Sequence, residues 1–353
     1  MADKYIQIAY EIESELRRMR ADGIVKLPTE EAFCDEYSCS RQTIRAALKV
    51  LTDKGLIVKK RGSGSYIADD DSRLHDTVVF ITGDKFENSN PELISQLTDS
   101  LKSHKFKFKS YSSEFSFTKE KEILTEVLGL FPAAVIIEPS SNIIPSPNIA
   151  VLEEISAKGI PVVYLYSAYP VPTDAICIRE NDTDGAMKLI SHLRERGHKK
   201  LSCVFRCDST RGLSRYKGYI EACRQFGMEF DEHNTFLFTG RDRKKMIMGN
   251  DEFLKTVIDE TEQDCTAIVC HNDEVAYRLI RIIENRGINV PKDLAVLSWE
   301  NNYSCSAKAS LTSLGHSEKD LVNTIVKTVI AAINHKSYKP EPLTWKLHVR
   351  NSG

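Results

Sequence analysis

The sequence SRQTIRAALKVL, residues 40–51, decides the fold of the N-terminal part of the chain. Its apolar residues recur at the i, i+3, i+4 and i+7 spacing of a helix with one buried face: Ile44, Ala47, Leu48 and Leu51. The opposite side is cationic and rich in donors: Arg41, Gln42, Arg45 and Lys49. Ser40 can cap the first free amides. Such a face suits the major groove of DNA, although most charge runs are simply solvated.

The neighbouring sequence supplies partners for this helix. Apolar residues at helical spacing predict a first helix over residues 4–19, and Thr29 is a candidate N-cap for a short second helix. Residues 37–39 then form a turn, so the second and third helices predict a helix-turn-helix. Residues 56–58 and 66–68 predict two short strands around the basic, glycine-rich segment KKRGSGS. This segment has no following helix with P-loop residues, which favours a hairpin wing over a nucleotide-binding loop.

The distribution of charge also points to nucleic acid. The chain carries 48 basic and 50 acidic residues, a net charge of −2, which argues against coating by nucleic acid over its whole surface. Residues 39–64 nevertheless contain seven basic residues and one acidic residue. A local basic patch on a nearly neutral protein predicts a small module that contacts phosphates.

These elements, in this order, resemble the winged helix-turn-helix of GntR-family transcription regulators, from KYIQIAYEIESELRR through LPTEEAFCDEYSCSRQTIRAALKVLTDKGLI to KKRGSGSYIA. The resemblance implies DNA contacts at Ser40, Arg41, Gln42, Thr43, Arg45 and Gly62. We expect further phosphate contacts from the wing cations Lys60 and Arg61. Many members carry arginine at the position of Glu31, so that contact is not expected here.

After a polar segment at residues 69–76, strand-like runs alternate with helical patterns to the end of the chain. This alternation predicts an α/β fold with parallel sheets. We therefore expect a DNA-binding domain over residues 1–68, a linker over 69–76 and a second domain over 77–353. Two successive α/β halves within the second domain would enclose a ligand cleft at the carboxyl ends of their strands.

The second domain resembles the two-lobed, periplasmic-binding-protein-like sensor of LacI-type regulators through RGLSRYKGY, TAIVCHNDEVAYRLIRIIENRG and SLTSLG, among other segments. The resemblance places ligand contacts at Arg215, Asn272, Glu300 and His316. Glu300 and His316 replace an aspartate and a glutamine that are common in the family. Asp273 is expected to cap the following helix rather than bind ligand. Lys85 and Glu87, in the loop after the first strand, are candidates from the first lobe, although a solvated loop accounts for either residue better.

A GntR-type head on a LacI-type sensor resembles the arabinose-responsive repressors, as does the segment FRCDSTRGLSRYKGY. The resemblance implies repression at a double-stranded DNA operator and an effector that is L-arabinose or a related sugar. Different sugars, sugar phosphates, purines and an activator role stay open as alternatives. A homodimer is expected, because two recognition helices would then meet a palindromic site.

Other classes of protein find less support. No apolar run approaches the length of a membrane span, and the N-terminus lacks the apolar centre of a signal peptide, so we expect a cytoplasmic protein rather than a periplasmic solute-binding protein. The nine cysteines include no CxxC pair, so neither a metal nor another cofactor is expected. An enzyme would need a nucleotide-binding glycine motif or a nucleophile with a base, and neither pattern occurs.

Overall fold

The computed structural model describes residues 3–21, 24–68, 75–83, 91–140, 143–169, 175–302 and 308–353. The described residues up to 68 are here called the head. The head contains three helices and a hairpin: α1 (Asp3–Ala21), α2 (Glu30–Glu36), α3 (Arg41–Asp53), β1 (Ile57–Lys60) and β2 (Gly64–Ile67). The hairpin is antiparallel and pairs Lys60 with Gly64 next to the tip. The head is thus a winged helix-turn-helix, as the periodicity predicted.

The predicted caps begin both helices of the motif. Thr29 accepts a hydrogen bond from the Ala32 amide at 3.2 Å, and Ser40 accepts one from the Thr43 amide at 3.2 Å. The apolar stripe of α3 is buried against α1 and Phe33 of α2. Because burial of apolar area is the main stabilising term in a domain this small, this stripe keeps the opposite face of α3 turned to solvent.

The rest of the chain, here called the sensor, has two lobes. The first lobe is a five-stranded parallel sheet in the order β4-β3-β5-β6-β7. Its elements are β3 (Thr77–Thr82), α4 (Pro91–Ser103), β4 (Lys107–Ser112), α5 (Phe117–Leu130), β5 (Ala134–Ile137), α6 (Ile149–Ala157), β6 (Val162–Leu165) and β7 (Ile176–Ile178).

The second lobe is a six-stranded sheet in the order β13-β12-β11-β10-β8-β9, parallel except for β13. Its elements are α7 (Asp182–Glu195), β8 (Leu201–Arg206), α8 (Thr210–Phe226), β9 (Thr235–Phe238), α9 (Gly240–Ile247), α10 (Glu252–Glu260), β10 (Ala267–Cys270), α11 (Asp273–Asn285), β11 (Ala295–Trp299), β12 (Thr312–Gly315), α12 (Glu318–Ile333) and β13 (Lys346–His348). A one-turn 3₁₀ helix precedes β9.

The lobes are not two successive halves, as the alternation of elements suggested. Helix α12 follows the last parallel strand of the second lobe, yet its apolar face is buried in the core of the first lobe. The chain then returns to the second lobe through β13. The lobes are therefore joined by three crossings of the chain, and the last two flank α12. None of the described helices is long and apolar enough to cross a membrane.

Candidate DNA-binding surface and effector cleft

The DNA-binding candidates lie on one exposed surface of the head. Ser40, Arg41, Gln42 and Arg45 are exposed at the start of α3, and Thr43 is half-buried. The Thr43 hydroxyl lies 2.9 Å from the Ser40 hydroxyl. Both guanidinium groups face carboxylates of α2: Arg41 donates to Glu31 at 2.8 Å, and Arg45 donates to Glu30 at 2.7 Å.

The wing brings three further candidates to the same part of the head. Lys60, Arg61 and Gly62 are exposed, and the Lys60 ammonium lies 4.7 Å from the centre of the Tyr66 ring. Gly62 adopts a φ of 75°, which an L-residue with a side chain rarely adopts. No atom lies within 4 Å of a Cβ built at this position, so backbone conformation rather than crowding requires glycine.

Three of the effector candidates, Arg215, Glu300 and His316, belong to a charged network between the lobes that also contains Glu180 and Arg211. Arg211 donates to both oxygens of Glu180, at 2.6 and 2.7 Å. The His316 Nε2 atom lies 2.9 Å from the same carboxylate. Arg215 and Arg211 also lie 3.1 and 3.3 Å from one oxygen of Glu300. The network lies beyond the carboxyl ends of the parallel strands, where ligands of α/β sheets bind.

The charges of this network depend on one another. Burial alone would raise the pKa of Glu180, but Arg211, His316 and Arg215 outweigh it and hold the pKa below its ordinary value. The nearby Asp182 behaves in the opposite way, because burial and the charge of Glu180 raise its pKa to about 7. His316 faces the Thr344 carbonyl with Nδ1 and Glu180 with Nε2.

Several buried polar atoms around the network have no hydrogen-bond partner within the described chain. They are Arg215 Nε and Nη2, Asp182 Oδ1, His271 Nδ1, and the indole nitrogens of Trp299 and Trp345. Buried polar atoms in folded proteins nearly always have partners, so such a concentration is typical of a site that binds a polar molecule. Glu300 has a φ of 97°, and a strained conformation of this kind also occurs often at functional sites.

The structure distinguishes the two arginines of α8. Arg215 is completely buried and lies 5.2 and 5.4 Å from the rings of Trp299 and Trp345. Arg211 is 21% exposed and lies 4.2 Å from the Tyr166 ring of the first lobe. Sequence reasoning chose Arg215 and missed Arg211 and Glu180. Both missed residues open segments that resemble the family, ENDTDG and RGLSRY, at a strand-to-helix connection.

The structure gives the role of helix cap to Asn272 and not to Asp273, while the ligand contact expected of Asn272 stays a prediction. Asn272, expected to contact ligand, is the N-cap of α11 and accepts a hydrogen bond from the Val275 amide at 3.2 Å. Asp273, expected to be the cap, is buried and accepts hydrogen bonds from Ser298, Ser313 and the Asn302 amide. The Asn272 side chain remains half-exposed. Lys85 and Glu87 lie outside the described residues.

Comparisons with known proteins agree with both parts of this description. Residues 4–67 match the family "Bacterial regulatory proteins, gntR family", and residues 190–352 match the "Periplasmic binding protein-like domain". The chain is 26% identical to the arabinose metabolism transcriptional repressor of Halalkalibacterium halodurans, over 95% of this chain and 91% of the relative. The repressor of the same name from Geobacillus stearothermophilus is 25% identical, over 99% of this chain and 97% of the relative. These relatives are named as regulators of transcription and not as enzymes.

Solved structures support the fold. The structure of the transcriptional regulator CelR in complex with cellobiose superposes on this chain with a TM-score of 0.67 at 19% identity. The superposition covers 89% of this chain and 92% of that one. The periplasmic binding protein/LacI transcriptional regulator from Alkaliphilus metalliredigens, complexed with D-xylulofuranose, superposes with a TM-score of 0.65 at 19% identity. The superposition covers 78% of this chain and 98% of that one. The two family matches and the two relatives that cover nearly the whole chain together make it a transcription regulator of GntR/LacI-like type, with a DNA-binding domain of the gntR family followed by a periplasmic-binding-protein-like domain.

Proposed function

We propose that this chain represses transcription as a cytoplasmic homodimer, and that a small sugar bound in the sensor cleft lowers its affinity for a double-stranded operator. The observation that carries the proposal is the joining, in one chain, of an exposed cationic helix and wing to a buried, charged network in which several polar atoms have no hydrogen-bond partner among the described residues. In a dimer, two recognition helices would read half-sites about 34 to 36 Å apart on a two-fold site.

The chemistry of the cleft favours a ligand with several hydroxyl groups. Arg211, Glu300 and His316 retain partial exposure and offer donors and acceptors within one network. A hydroxyl group donates and accepts at once, so adjacent hydroxyls can bridge a carboxylate and a guanidinium without adding charge. L-arabinose is the first candidate, because the two relatives above are named as repressors of arabinose metabolism.

Closure of the two lobes couples ligand binding in the cleft to DNA binding by the heads. Arg211 of the second lobe lies against Tyr166 of the first, so a ligand between them contacts both lobes. A ligand shifts the balance between two conformations only by binding one of them more tightly. Tighter binding to the closed sensor would change the spacing of the two heads and weaken their joint fit to the operator.

The test begins with calorimetric titration of pentoses and hexoses, L-arabinose among them, against the full-length chain. Sugar phosphates and purines complete the panel. DNA duplexes selected from a random library by the protein are then titrated with and without the best ligand. We expect one sugar to bind at micromolar concentration and to reduce DNA affinity. Binding that leaves DNA affinity unchanged would refute the sensor role, and increased affinity would identify a ligand-dependent activator or a co-repressor.

A further inference from the structure

The first helix of the helix-turn-helix motif is acidic. Helix α2 reads EEAFCDE and contains four carboxylates and no basic residue. In this motif the first helix crosses the DNA backbone while the second enters the major groove. Carboxylates at such a place repel phosphates, so the composition of α2 opposes the electrostatic term that dominates non-specific binding.

One of these carboxylates is paired with a base-reading candidate. Glu31 Oε1 accepts a hydrogen bond at 2.8 Å from Nη2 of Arg41, the first residue of α3. The pair joins the two helices, and both side chains are exposed, at 73% and 63%. A guanidinium carries five N–H donors in a rigid fork, and this contact occupies one edge of it. The other donors remain able to meet the two acceptors of a guanine in the major groove.

The second arginine of α3 provides a comparison within the same surface. Arg45 donates through Nε to Glu30, and Lys59 of the wing lies 3.5 Å from the same carboxylate. Glu30 therefore has two cations for one charge, and its pKa is lowered mainly by the hydrogen bond from Arg45. Within the described chain, Glu31 has Arg41 as its single cationic partner. The charge of Glu31 therefore acts mainly on Arg41.

We propose that Glu31 is a specificity-determining residue for DNA binding, which holds the Arg41 guanidinium toward base edges and disfavours its contact with phosphates. A phosphate near Arg41 must approach the Glu31 carboxylate as well, and the repulsion between the two anions opposes that approach. A guanine edge presents neutral acceptors and meets no such repulsion. The pair thus weakens binding to arbitrary DNA more than binding to the preferred site, which is how repulsive elements create specificity.

This role does not require a strong ion pair in the free protein. Exposed pairs of this kind contribute little to folding stability, because water screens them. The effect arises in the complex, where the DNA surface displaces solvent and brings phosphates within a Debye length of the carboxylate. Glu31→Gln should therefore leave folding nearly unchanged and alter DNA binding.

The inference rests on the proposed DNA-binding function, and the experiment separates the two. The full-length chain first selects duplexes from a random 30-base-pair library. Wild type, Glu31→Gln, Glu36→Gln and Arg41→Ala are then titrated with the selected duplex and with a shuffled duplex of equal composition, over a range of salt concentrations. Glu36→Gln is the matched control, because it removes the same charge from the exposed end of α2, where no ion pair is described. A wild-type chain that selects no motif would refute the proposed function itself.

We expect Glu31→Gln to bind the shuffled duplex more tightly and to lower the ratio of specific to non-specific affinity about fivefold or more. The salt dependence of its non-specific binding should steepen by about one unit, as one more phosphate is contacted. Selection repeated with Glu31→Gln should relax base preference at the position that Arg41→Ala also relaxes. An unchanged ratio, or equal effects of Glu31→Gln and Glu36→Gln, would overturn the inference. Circular dichroism confirms the fold, and Glu31→Arg provides a second variant with the residue common in the family.

Discussion

At the scale of single residues, two arginines one turn apart on α8 have different roles. Arg215 is buried among carboxylates and tryptophans, whereas Arg211 keeps part of its surface exposed. We expect Arg211→Ala to abolish ligand binding in calorimetry while operator binding persists. Arg215→Ala should instead destabilise the sensor by about 3 to 5 kcal/mol, because it removes a completely buried guanidinium that lies beside two tryptophan rings and 3.7 Å from the buried Asp182 carboxylate. Urea denaturation, followed by the fluorescence of the two tryptophans, measures this loss.

Arg224→Ala is the matched control for both variants, since Arg224 is exposed near the end of the same helix. It should change neither ligand binding nor the urea midpoint. Normal ligand binding by Arg211→Ala would exclude Arg211 from the effector site. A stable Arg215→Ala protein that has lost ligand binding would return that role to Arg215, as the sequence suggested.

Wing and helix residues should also differ in what they contribute to DNA binding. Lys60→Ala removes a cation from the wing. We expect this variant to bind all duplexes more weakly by the same factor, and the slope of its log affinity against log salt concentration to decrease by about one unit. Arg45→Ala should cost about 1 to 3 kcal/mol on the preferred duplex and relax one base position. Fluorescence anisotropy on matched and shuffled duplexes distinguishes the two patterns. If Arg45→Ala loses equal affinity for both duplexes, Arg45 contacts a phosphate rather than a base.

At the scale of elements, the turn between α2 and α3 contains a strained residue. Ser38 has a φ of 45°, and the Cys39 amide donates to the Cys34 carbonyl at 3.2 Å, as in a Schellman motif. Glycine adopts this conformation without the steric cost of a side chain. Ser38→Gly should stabilise the motif by about 0.5 to 1 kcal/mol, seen as slower hydrogen exchange of α3 amides. Ser38→Val should accelerate exchange, and the opposite order would contradict the turn geometry.

The start of α11 should make the stability of the sensor depend on pH. Burial raises the pKa of Asp273 to about 7 from an ordinary value of 3.8. Between these values the folded sensor holds a proton that the unfolded chain has released, so this stabilisation is lost as pH rises through 7. The pKa of Asp182 is also raised to about 7, so Asp182 adds to this loss of stability with rising pH. We expect the urea midpoint to decrease as the pH rises from about 4 to about 7, and to decrease less steeply in Asp273→Asn. An identical slope in this variant would contradict a protonated Asp273.

At the scale of the whole molecule, two-fold recognition requires two chains. We expect sedimentation at twice the mass of one chain, and a binding site that is an imperfect palindrome. Saturating sugar should reduce the radius of gyration in X-ray scattering and weaken operator binding at least tenfold, about 1.4 kcal/mol of coupling. Arg211→Ala is the control that should show neither change. A monomer that binds DNA with full affinity would contradict the dimer.

The sequence by itself determined the features that depend on neighbours along the chain. The i, i+3, i+4 and i+7 pattern in residues 40–51, with caps at Thr29 and Ser40, predicted the helix-turn-helix, because helical periodicity and capping are local properties. The alternation of strands and helices predicted parallel sheets for the same reason. The cap of α11 shows the limit of this reasoning, because the sequence favoured Asp273, the structure has Asn272, and either residue type can cap a helix.

Only the tertiary structure decided which distant residues meet. Glu180 contacts Arg211 31 residues later and His316 136 residues later, and no periodicity relates these positions. Helix α12 crosses to the first lobe because its apolar face finds a matching core there, although its neighbours in sequence belong to the second lobe. Long-range burial and charge compensation depend on how the whole chain packs, so the buried Arg215 and the partly exposed Arg211 could not be distinguished in advance.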